Sequence, residues 1–176
     1  MPSFLLLRHS VTRATALAAT ILMSLVATTV APRVTAAQTA SQVVTFEVTP
    51  INQLAVSGNP APLIINTAAA GNAPTSVTSS ATTWAVTTNE IGKKVTASLN
   101  SALPSGVTLA VSLGAPGTAS SAGNVTLGTS AVDVVTGLTK LNASGLTLSY
   151  TLAATAAAGI VASDTRTVTF TLVAGP

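Results

Sequence analysis

The sequence predicts an all-β fold, an antiparallel sandwich of about seven to nine short strands. The first observation is a period of two. In the run Thr165–Val173, Val168, Phe170 and Leu172 fall on one side and Thr167, Thr169 and Thr171 on the other. That is a strand with one buried and one wet face, and its threonines suit a pleated surface. The second is spacing, since turn residues recur at intervals of about ten residues between such runs, as in sandwiches and barrels. The third is that no segment sustains a helical period.

Taken in order, Ala37–Gln42 (AQTASQ) is a small, polar lead-in. Val43–Thr49 alternates, with Val44, Phe46 and Val48 opposed to Thr45, Glu47 and Thr49, and it reads as a strand ended by Pro50. Leu54–Val56 and Leu63–Ile65 are short apolar pieces. Thr67–Ala81 reads as a loop with one short strand near Val77. Thr82–Thr88 and Lys93–Asn100, separated by Asn89-Glu90-Ile91-Gly92, predict a β-hairpin. Val107, Leu109, Val111 and Leu113 share an inward face. Val125–Leu127 and Val132–Val135 are short strands, and Asn142–Gly145 is a break. Leu146–Leu152 is a strong strand, and Ala153–Ala158 continues it into a connection. The expected core is aliphatic, anchored by Trp84, Tyr150, Phe46 and Phe170.

The first 36 residues read differently. Arg8 and Arg13 precede the uncharged run Ala14–Ala31, and the small residues Val34-Thr35-Ala36 follow. This is the pattern of a secretory signal peptide, expected to be cleaved after Ala36, with an uncleaved membrane anchor as the alternative. Residues 37–176 then make a single sandwich domain, and the protein is expected to be secreted or at the extracellular cell surface. The leader holds Arg8, Arg13 and Arg33. Residues 37–176 keep four cations (Lys93, Lys94, Lys140, Arg166) and four anions (Glu47, Glu90, Asp133, Asp164), so their formal charge is zero. The basic pI of about 10.0 thus belongs largely to the leader and is no nucleic-acid footprint.

Composition also narrows the chemistry. There is no Cys, and the one His, His9, lies in the leader. Residues 37–176 can therefore build no Ser-His-Asp triad, Cys-His pair or zinc-histidine centre. Glu47, Glu90, Asp133 and Asp164 show no catalytic or calcium-binding spacing and read as solvated or turn residues. The lysines carry no Ser-Lys signature. No phosphate-cradling loop is present, since Gly114-Ala115-Pro116-Gly117 is a turn. No enzyme activity, catalytic residue, cofactor or metal is expected.

The closing pattern Ser163-Asp164-Thr165-Arg166-Thr167-Val168-Thr169-Phe170-Thr171-Leu172 resembles the last strand of spore coat protein U and pilin-like secreted domains. The resemblance implies an Ig-like or pilin-like sandwich that lacks one strand and receives it from a neighbour. The chain departs from chaperone–usher pilins in having no disulfide and in ending Ala174-Gly175-Pro176 where they carry an aromatic residue. No chaperone or usher is therefore implied. Residues 37–50 become a candidate donor segment, with Val44, Phe46 and Val48 as candidate subunit contacts, set against the default reading of Val43–Thr49 as the first strand of its own sandwich. The expected function is a non-enzymatic subunit of an extracellular filament or surface layer, self-associating into a homopolymer by β-strand exchange. The alternative is a monomeric adhesin-like module for a glycan or surface polymer, which the scarcity of aromatic residues disfavours.

Overall fold

The computed structural model describes residues 37–175. The leader expectation falls on residues 1–36 and lies outside them. By internal contact the chain divides after Thr45. Residues 37–45 are exposed and carry no regular secondary structure. Every strand among the described residues lies in the part from Phe46 onward.

Nine strands are found among the described residues: β1 (Asn52–Val56), β2 (Val77–Thr88), β3 (Lys93–Leu99), β4 (Val107–Leu113), β5 (Ser120–Ser121), β6 (Val125–Thr126), β7 (Val132–Leu138), β8 (Leu141–Ala154) and β9 (Val168–Ala174). They form two antiparallel sheets, one in the order β1-β2-β8-β4-β6 and one in the order β5-β7-β3-β9. The only helical piece among the described residues is one 3-10 turn at Ala156–Ala158. The fold class predicted from the sequence is the fold observed.

The core is made where the inner faces of the two sheets meet. Trp84, Val86, Val111, Leu113, Leu148 and Tyr150 come from the first sheet; Val95, Ala97, Leu99, Val134, Val135 and Leu138 come from the second. All but those of β7 keep to one alternating phase of their strand; Val134 and Val135 are consecutive and both buried, where the register of β7 against β3 shifts. Burying each of the larger side chains is worth roughly 1.5–3 kcal/mol. Trp84 is placed without a polar penalty because its indole N–H donates to the Gly114 carbonyl at 3.1 Å. The buried hydroxyl of Thr82 donates to the Leu148 carbonyl at 2.8 Å. Phe170 contributes from β9 but is only partly buried.

Four expectations are corrected. The runs 82–88 and 93–100 are strands, but they do not pair as a hairpin, since β2 lies in the first sheet and β3 in the second. Both bury their apolar phase, so they meet across the core, and Asn89–Gly92 carries the chain between the layers. The short strand near Val77 is the start of the twelve-residue β2. Asn142–Gly145 is not a break but part of the fourteen-residue β8. Gly145, at φ +66°, absorbs an extra residue there: Trp84 faces Leu146 while Val86 faces Ala143. This is a β-bulge with glycine in the left-handed region.

The fourth correction concerns Val43–Thr49. It is not the first strand of this sandwich, and Phe46 is not in the core. The first strand is β1, and its Leu54 packs against the core. Pro50 separates the two runs. It has no N–H for a ladder and biases Thr49 toward an extended backbone.

Candidate assembly interface

The candidate donor residues are among the large apolar side chains that are not covered, with Ile64, Ile91 and Ile160. Val44 is 70% exposed, Phe46 89% and Val48 77%. No strand assignment or backbone ladder reaches any of them among the described residues. Glu47 lies among them and is exposed too.

The root of this segment is fixed. The Asn89 side-chain amide donates to the Thr49 carbonyl at 2.8 Å, and its oxygen accepts from the Ile51 N–H at 2.7 Å. The Asn89 N–H in turn donates to the Ile51 carbonyl at 3.2 Å. One asparagine at the head of the β2–β3 connection thus clamps the chain on both sides of Pro50. Next to it, Asn52 accepts from the buried Thr88 hydroxyl at 2.8 Å and donates to the Glu90 carboxylate. Glu90 also pairs with Lys93 at 2.9 Å. The Asn52 hydrogen bond, then Lys93, hold the Glu90 carboxyl below its ordinary pKa.

The second feature is an open edge. Among the described residues β1 ends the first sheet and β9 ends the second, and each pairs on one side only, β1 with β2 and β9 with β3. Between these two edges lies a cleft of about 410 Å³, lined by Leu54, Ala55 and Val56 from β1 and by Val168–Leu172 from β9. Its lining takes in both phases of the two strands, the apolar Leu54, Val56, Val168, Phe170 and Leu172 together with Ala55, Thr169 and Thr171. Leu54 and Val56 lie opposite the buried Val86 and Trp84. Val168, Phe170 and Leu172 pack against the core yet stay partly exposed. Val56 belongs to an inward-facing phase and is still 49% exposed. A sandwich closed on this side would cover it.

Two further ion pairs sit elsewhere on the surface. Lys94 reaches Asp133 at 3.1 Å, and Arg166 reaches Asp164 at 2.6 Å. The Arg166 hydrogen bond and the Thr165 N–H hold the Asp164 carboxyl below its ordinary pKa. Burial pushes the Tyr150 phenol up. Among the described residues no three acidic side chains gather in a metal-sized cluster. Sequence reasoning named the exposed segment but missed the cleft. Its signal was present as Leu54 and Val56 in alternation, too short a run to mark an edge strand. Comparison with protein-family models, curated proteins and solved structures returned no match.

Proposed function

We propose that this protein is a non-enzymatic structural subunit of an extracellular filament or surface layer, polymerising by strand exchange. The observation that carries the reading is an alternating apolar segment, Val44-Thr45-Phe46-Glu47-Val48, left exposed in a chain whose sandwich has an apolar cleft between two free edges. Exposed valines and a phenylalanine at strand spacing are an association liability in a monomer. In a polymer they are the contact surface. Extracellular placement rests on the leader pattern in residues 1–36.

The test is electron microscopy of the full-length protein expressed in an exporting host. Culture fluid and sheared cell-surface material are both imaged, beside a variant lacking Val43–Thr49. Fibres of regular width from the parent, and soluble folded monomer from the deletion, are expected. Dispersed particles from both chains would remove the structural reading in favour of a monomeric binding module. Normal fibres from the deletion would remove the donor segment.

A further inference from the structure

We infer that Lys93 and Asn52 join through their side chains in an isopeptide cross-link, with loss of ammonia, promoted by Glu90 and Thr88. The inference is independent of strand exchange. It assigns a covalent chemistry to the corner at which the chain is clamped.

Three polar residues stand in inward phases at one end of the sandwich, where the strands otherwise bury apolar side chains. Asn52 opens β1 in the phase of Leu54 and Val56, and Thr88 closes β2 in the phase of Trp84 and Val86, opposite Asn52 in register. Lys93 opens β3 in the phase of Val95, Ala97 and Leu99, and its side chain is only 17% exposed. Glu90, in the connection between β2 and β3, reaches across to both sheets.

Both ends of the Asn52 amide are held. Its oxygen accepts from the Thr88 hydroxyl at 2.8 Å, and Thr88 is buried. Its nitrogen donates to Oε2 of Glu90. The same Oε2 lies 2.9 Å from Nζ of Lys93. Amine and amide thus share one carboxylate oxygen, which keeps the two nitrogens within about 6 Å, the sum of two hydrogen bonds. The charged groups at this corner are Lys93 and Glu90 themselves, with Lys140 next to them, its N–H donating to the Glu90 carbonyl at 2.9 Å. Lys94 lies in the outward phase and pairs with Asp133.

These are the parts that an amide exchange needs. The Glu90 carboxylate takes a proton from the Lys93 ammonium and leaves a neutral amine, the form that attacks a carbonyl carbon. Nζ bonds to Cγ of Asn52. Negative charge develops on the Asn52 oxygen, where the Thr88 hydroxyl already donates. The Cγ–Nδ2 bond breaks as Glu90 passes its proton to Nδ2. Of the three protons on the ammonium, one stays on the new amide and two leave with Nδ2 as an ammonium ion, so no oxidant or further reactant is required. The bond ties the head of β1 in the first sheet to the head of β3 in the second, in a chain without cysteine.

The test uses the full chain, exported, purified and incubated at pH 7 and at pH 9. It is then denatured and cleaved chemically at Trp84, the only tryptophan, which lies between Asn52 and Lys93. Without the bond the two fragments separate. With it they stay joined, and the intact mass is lower by about 17 Da, one ammonia. Joined fragments are expected from the parent, accumulating about tenfold faster at pH 9 than at pH 7, because attack needs the neutral amine. Lys93→Arg, which keeps a cation beside Glu90, should give none. Glu90→Gln should slow joining at least tenfold, and parent incubated in urea should not join at all; circular dichroism checks that both variants fold. Fragments that separate completely after incubation of the parent at pH 9 would overturn the inference. So would a 17 Da loss that persists in Lys93→Arg, since it then arises elsewhere in the chain. Joining at the parental rate in Glu90→Gln would overturn the part given to the carboxylate.

Discussion

Asn89 holds the chain on either side of Pro50 with one side chain, donating to Thr49 and accepting from Ile51. Asn89→Ala removes both bonds at a solvent-accessible site, so we expect a loss of about 1 kcal/mol, read by urea denaturation. Asn89→Asp keeps the acceptor for Ile51 and loses the donor to Thr49, so roughly half of that loss is expected. Glu90 gives this corner a pH dependence. Its carboxyl is held down by the Asn52 hydrogen bond and by Lys93, so its folded pKa lies below its unfolded value of about 4.3. In the interval between them the unfolded chain binds more protons. The contribution is complete above the unfolded value and is lost as pH falls through the folded one. Acid titration followed by the amide resonances of Asn52 and Glu90 should show the corner loosening below about pH 4, and Glu90→Gln should abolish that step.

At the scale of elements, the bulge in β8 decides register. Gly145 sits at φ +66° with open space where a Cβ would go, so a substitution is opposed by backbone conformation alone. Gly145→Ala should cost roughly 1–2 kcal/mol, measured by thermal denaturation. What the sequence reveals follows the same logic. Alternation located β3, β4 and β9 and the inward faces of β2 and β8, because each buries one face and a shift by one residue would expose it. It misread Asn142–Gly145 because Asn, Ser and Gly are turn residues, and here a bulge uses the same left-handed glycine within a strand. It misread the 82–100 pair because Asn89–Gly92 carries the same local signals whether the chain returns beside itself or crosses to the facing sheet. Only the long-range pairing of β2 with β8 and of β3 with β9 distinguishes the two. It placed Phe46 in the core because alternation states that one face wants burial and is silent about which molecule covers it. The cleft was illegible because an edge is defined by which strands pair, and Leu54–Val56 is too short a run to announce a strand at all.

For the molecule as a whole, charge is the variable that separates two modes of self-association. Residues 37–176 carry no net formal charge, and three ion pairs, Lys93–Glu90, Lys94–Asp133 and Arg166–Asp164, are satisfied within the chain. The cleft is lined by Leu54, Val56, Val168, Phe170 and Leu172, and the segment offered to it by Val44, Phe46 and Val48. Contact of this kind gains from apolar burial and from backbone pairing, neither of which is screened by small ions. Charge-steered association slows steeply as the Debye length falls from about 30 Å at 0.01 M salt to about 3 Å at 1 M. Assembly by the proposed strand exchange should change by less than about threefold over that range. Sulfate, which strengthens effective apolar burial, should accelerate it at equal ionic strength. Light scattering of the purified protein in sodium chloride and in sodium sulfate measures both. A steep fall with chloride would place the driving force in charges such as Glu47 or Lys140, outside the apolar cleft, whereas acceleration by sulfate with indifference to chloride is what a strand laid into that cleft requires.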